Sequence, residues 1–207
     1  MHAFYLYKIF TESTQRCTFI KINTINKFSD KEIIDQTIAW VRTVVIGCNF
    51  CPFAAKALNK GSVRFVVRSN TDLKICLETL SEEFQYLNEN ASVETTLIIL
   101  PADFEGFAEY LDMINKAELF LAKENYEGVY QLASFHPQYR FAGAPDNDPA
   151  NYTNRSPYPM LHILREDSIT NALEGFAHPE NIPNTNIDFA GKKGLKYMEL
   201  LLAACMR

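Results

Sequence analysis

The chain has 207 residues, 47% of them hydrophobic and 22% charged, with 20 Lys and Arg against 25 Asp and Glu for a formal net charge of -5. This is enough apolar material for one sizeable core, and the scattered basic residues argue against the concentrated basic face that a nucleic-acid partner requires. Five cysteines at irregular spacing, an apolar start at Met1 to Phe10 without a cleavage pattern, and no run long enough to span a bilayer give the expectation of a reduced, cytoplasmic protein with no membrane partner.

In chain order, residues 1 to 28 mix aromatics with Thr, Asn and Lys in a way that suits a short hairpin or an attached arm, and residues 29 to 207 read as one globular domain. Ser29-Asp30-Lys31-Glu32 forms a capping box, with Phe28 and Ile33 placed to staple the helix entry. Ile34, Ile38, Val41 and Val45 recur at helical spacing and carry that helix to about Gly47. Pro52 suits the start of a shorter helix through Phe53 to Leu58. Val63 to Val67 is a β-branched run and predicts a strand. Thr71 and Asp72 offer caps to a helix with Leu73, Cys76, Leu77, Leu80, Phe84 and Leu87 on one face. Thr95 to Leu100 is continuously apolar, as in a strand covered on both sides. Phe104, Phe107, Leu111, Ile114 and Leu121 mark another helix. Val129 to Phe135 and Met160 to Leu164 predict two strands joined by a long polar loop. Helices from about Ser168 to Phe176 and from about Gly194 to Ala204 follow, with Pro179, Pro183 and Gly191 as breaks between them.

This order implies an α+β fold, a single domain with a small mixed sheet of about four strands and helices packed against it. Two successive strand-helix-strand units predict parallel neighbours, and the last two strands an antiparallel pair. A loop as long as the one between them is functional or disordered in most compact domains.

The chemistry-bearing residues gather at three places. His136 stands at the end of the third strand directly before Pro137, where an extended backbone presents the ring for acid-base work or metal ligation. His162 alternates with Met160 and Leu164 on one strand face, which favours a core histidine bonded to a carbonyl. If the two strands pair antiparallel, both rings could reach one metal ion, provided the register allows it. Cys48-Asn49-Phe50-Cys51 precedes Pro52, and a thiol at a helix start ionises more readily, although buried free thiols are as common an outcome. Arg140, Arg155 and Arg165, with Tyr139, Tyr152 and Tyr158, flank the loop. Guanidinium forks match carboxylate and phosphate geometry, while the alternative is that Arg165 pairs with Glu166 or Asp167 and Arg155 holds loop carbonyls. Asp146 and Asp148 lack the glycine and distal glutamate of a calcium loop and read as solvated acids.

The segments Val44 to Ala54, Gly128 to Tyr139 and Asn151 to Glu166 resemble an uncharacterised, mainly bacterial family, the domain of unknown function numbered fourteen-fifteen. The resemblance runs over roughly residues 30 to 190 with the motifs in matching order. It implies a shared fold and a shared site region, and no reaction. The family has a leucine-like residue where Cys48 stands and a cysteine at Cys51, which leaves Cys51 as the thiol of greater interest.

The favoured expectation is an enzyme acting on a small anionic molecule, with Cys51, His136 and His162 as catalytic candidates and Arg140, Arg155, Tyr139 and Tyr158 as substrate-binding ones. No cofactor motif is present, and the cofactor these residues would allow is a divalent transition metal on His136, His162 and Cys51. The alternatives are a binding module without turnover and a thiol-disulfide protein using Cys48 and Cys51.

Overall fold

The computed structural model describes residues 28–174 and 177–206, so the expectation of an arm or hairpin over residues 1–27 lies outside the described residues. Helix α1 (Asp30–Trp40) begins as its sequence requires. The Ser29 hydroxyl accepts from the Glu32 amide, and the Glu32 carboxylate accepts from the Ser29 amide at 2.8 Å. Instead of remaining α-helical to Gly47, the segment widens into a π-helix over Val41–Ile46. Gly47 closes it by donating to the Arg42 carbonyl five residues back, at 3.0 Å.

There follow α2 (Ala54–Lys60), β1 (Val63–Val67), α3 (Leu73–Glu89, capped by Asp72 on the Ile75 amide), β2 (Thr95–Ile99) and α4 (Phe107–Lys123). Next come β3 (Tyr130–Phe135), a 3-10 turn (Pro149–Thr153), β4 (Met160–Arg165), α5 (Glu166–Leu173), a second 3-10 turn (Pro179–Asn181), α6 (Ile182–Lys193) and α7 (Leu195–Ala204). Helix α6 occupies a stretch whose prolines and glycine read as breaks. Pro183 lies in its first turn, where no amide donor is needed, and Gly191 lies near its end, so neither interrupts the hydrogen-bond ladder.

The strands form one mixed sheet in the order β1-β2-β4-β3. β1 and β2 are parallel, and β4 is antiparallel to both β2 and β3. The second crossover therefore does not deliver β3 beside β2, because β4 is inserted between them. Each sheet face has its own core. Ile98, Leu100, Tyr130, Leu132, Leu161 and Ile163 pack under α3 and α4. Leu97, Ile99, Met160 and Phe135 face α1, the π-helix, α6 and α7. Of these, Phe135 is partly covered, and each side chain that is fully buried contributes roughly 1.5–3 kcal/mol. Tyr110 of α4 ties the ends of β3 and β4 together, donating to the Met160 carbonyl at 2.6 Å and accepting from the Phe135 amide at 3.1 Å.

Candidate functional site

The long connection from His136 to Pro159 folds back on itself through its own polar side chains. Asn151 is fully buried; its carbonyl oxygen accepts from the Phe141 amide at 3.0 Å and its amide nitrogen donates to the Pro145 carbonyl at 2.9 Å. Asp148 caps the 3-10 turn through the Ala150 amide, and the Trp40 indole donates to the Arg155 carbonyl at 3.0 Å. An interior Asn and a Trp donor meet backbone groups that would otherwise be buried unpaired.

His136 is the innermost part of this connection and is fully buried. Its Nδ1 accepts from the Gln138 amide at 2.9 Å, so Nε2 carries the proton and donates to the Phe104 carbonyl at 2.9 Å. Phe107 and Tyr110 flank the ring, and burial lowers its pKa below the usual histidine value. Both nitrogens are engaged by backbone, so the ring as placed has no lone pair left for a metal and no proton to pass on.

His162 lies on the other face of the sheet. The register pairs His162 with Ala133 and with Leu97, and residues of β3 alternate, so His136 falls on the α3/α4 face while His162 lies against Phe135 on the α1 face. The antiparallel pairing expected from the sequence is present. Its parity puts the two rings on opposite faces of the sheet, so the strands do not bring them together at one position. Cys51 belongs to the α1 side with Ala54 and Leu58. Among the described residues no group of three or more His, Cys, Asp or Glu is arranged to hold a metal ion.

The Thr95 hydroxyl has one proton, which it gives to the Ile163 carbonyl at 2.5 Å. The 2.6 Å contact between Thr95 Oγ1 and His162 Nε2 is therefore a bond donated by the ring, and this leaves Nδ1 as the lone-pair nitrogen. Burial lowers the His162 pKa to about 4, so the ring is neutral at neutral pH. Thr95 was not picked out from the sequence. Only the strand register could have linked it to a residue 67 positions away.

The thiols do not meet the expectation of easy ionisation. Cys48, Cys51, Cys76 and Cys205 are all free. For Cys51, burial raises the pKa and outweighs the lowering by the Phe53 and Ala54 amides at the start of α2. Burial also raises Cys48, against a smaller lowering by Lys193. Helix α2 is seven residues long, too short for a strong dipole to overcome desolvation.

The two loop arginines do come together. Arg140 Nη1 meets the Asp146 carboxylate at 2.7 Å, and Arg155 Nη2 donates to the Asp146 backbone carbonyl at 2.8 Å. Arg155 is held further by the Tyr139 carbonyl at 3.1 Å and lies over the Tyr152 ring at 4.6 Å. Tyr139 and Tyr158 are buried. Tyr139 packs on Phe107 and Phe141, and Tyr158 donates a short hydrogen bond to Gln36 of α1, so both serve the wall and not the surface. Arg165 pairs with neither Glu166 nor Asp167. It closes the carboxyl end of α3, donating to the carbonyls of Leu87, of Asn90 at 3.4 Å and of Val93 at 3.0 Å.

The molecule is thus an α+β domain with a four-stranded mixed sheet, whose expected site residues divide between the two sheet faces and the loop surface. The chain belongs to the family described as protein of unknown function (DUF1415), which it matches over residues 32–199. No curated protein and no solved structure matches it. No helix among the described residues is long and apolar enough to cross a membrane.

Proposed function

We propose that this domain binds a small anionic molecule at the outer surface of the 136–159 connection, where Arg140 and Arg155 converge on Asp146. That convergence carries the reading. Arg155 is preorganised by two backbone carbonyls and an aromatic face, and so loses little freedom on receiving a ligand. The Arg140–Asp146 pair is exposed, with side chains 51% and 81% accessible, and such pairs contribute only about 0–1 kcal/mol. A carboxylate or phosphate can therefore take the place of the Asp146 carboxylate at small cost, taking over its charge-assisted contact to Arg140, with Arg155 held by backbone carbonyls of the same loop.

Binding without turnover is favoured over catalysis. His136 is buried with both nitrogens engaged, and burial holds the Cys48 and Cys51 thiols protonated. The same protonation argues against thiol-disulfide exchange, which needs a thiolate.

Calorimetric titration with inorganic phosphate and citrate tests the reading in wild type, Arg140→Met and Asp146→Asn. The expected result is weaker binding in Arg140→Met by about tenfold and tighter binding in Asp146→Asn, which removes the competing carboxylate. Equal affinities in all three proteins would exclude this surface. Conversion of any bound anion would move the reading to an enzyme.

A further inference from the structure

A different part of the molecule carries a second, independent inference. On the α1 face of the sheet, the β3–β4 end is only partly covered: Gln131, Ala133, Phe135, His162 and Leu164 all remain partly exposed. On the opposite face of the same strands, Tyr130, Leu132, Leu161 and Ile163 are closed off. Ala133 lies directly across the ladder from His162, and Gln131 directly across from Leu164, so Gln131 stands diagonal to the imidazole with only a methyl group between them. Among the described residues, neither His162 Nδ1 nor the Gln131 side-chain amide makes a hydrogen bond. The apolar lining is supplied by Phe135, whose ring centroid is 6.0 Å from that of His162, and by Leu164.

We infer that His162 and Gln131, around the gap left by Ala133, form a binding site for a small, flat, uncharged molecule that carries a hydroxyl or N–H donor. Thr95 is the positioning residue. Because its proton is committed to the Ile163 carbonyl, it can only accept from Nε2, and this holds the Nδ1 lone pair outward in one tautomer. Apolar walls with one acceptor and one amide select a neutral ligand, since a charged one would lose its hydration without a counter-charge to replace it. This is distinct from the arginine surface, which selects anions.

Phenol and anisole serve as probes, having nearly the same shape and differing in the donor. Nitrogen-15 spectra of the full chain with labelled histidine should show His162 as the Nε2–H tautomer. Phenol should shift the His162 Nδ1 resonance saturably and bind about five- to tenfold more tightly than anisole. His162→Phe should abolish that preference, while Arg140→Met should leave it intact, so failure here and failure of the anion reading are separable. Equal binding of the two probes, a shift confined to other residues, or the Nδ1–H tautomer in the wild-type spectrum would each overturn the inference. The wild-type measurements decide it even if the substituted protein does not fold.

Discussion

His136, directly after β3, and His162 on the adjacent antiparallel β4 face opposite sides of the sheet, because Ala133 and not an even-numbered neighbour is the ladder partner of His162. One ring is closed off by backbone at both nitrogens, and the other keeps a lone pair. Two imidazoles that look equivalent in the sequence therefore have different consequences when removed.

His136→Leu should destabilise the fold by about 2–4 kcal/mol, since it leaves the buried Phe104 carbonyl without its partner and frees the part-buried Gln138 amide. Urea denaturation followed by tryptophan fluorescence measures this, with Trp40 as the reporter. A loss below about 0.5 kcal/mol would show that the ring does not bridge these two backbone groups.

Acid should weaken the protein through His162. Its folded pKa is depressed from 6.5 to about 4, so the unfolded chain binds more protons between those values. The contribution is fully present above about pH 6.5 and is lost as pH falls toward 4, amounting to at most about 3 kcal/mol. Glu118 works in the opposite sense. Burial raises it from 4.5 to about 7, so its contribution is present below about 4.5 and is lost as pH rises toward 7. Denaturation midpoints across pH 4 to 8 should therefore steepen in Glu118→Gln, which also should be about 1–3 kcal/mol more stable than wild type at pH 8. An unchanged profile in that variant would show that its carboxyl is solvated.

Gly47→Ala should be severely destabilising, by about 3 kcal/mol or more, or should prevent recovery of folded protein. A methyl carbon at that position would lie 2.3 Å from the Thr43 carbonyl oxygen, and the obstacle is backbone that the π-helix holds in place. Expression yield and circular dichroism melting provide the check.

Arg165→Lys should cost about 2–3 kcal/mol despite retaining the charge. An ammonium cannot reproduce the fork that reaches the carbonyls of Leu87, Asn90 and Val93. Amide exchange at the carboxyl end of α3 should accelerate in this variant, and equal protection would show that water can replace the guanidinium there.

The fold was largely legible because its signals are local. Ser29 with Glu32, Asp72 before Leu73, and the apolar run from Thr95 each act within a few residues, and the structure has the corresponding elements at those places. What escaped depends on longer-range geometry. Pro183 and Gly191 are helix breakers in mid-helix but harmless near helix ends, and their position relative to those ends was what the sequence could not supply. The placement of β4 between β2 and β3 is a choice between sheet edges, and no residue pattern marks it. For the site, the convergence of Arg140 and Arg155 follows from residues close together in one loop. The pairing of His136 with His162 needed a register in which one residue's offset decides the face, and that offset came out the other way.

The π-helix has one further implication, for how this segment tolerates insertions and deletions. Each residue of a regular helix advances the chain by about 100°, and each residue of the wider π-helix advances it less. Deleting one position between Val41 and Ile46 would let that segment return to ordinary helical pitch and leave what lies beyond it close to its present orientation. The Phe50 carbonyl would keep the Asn186 amide, now 2.8 Å away, and its ring would keep Phe189, whose centroid is 5.7 Å distant. The widened turn is thus the place where the first helical arm can lose a residue and still grip α6.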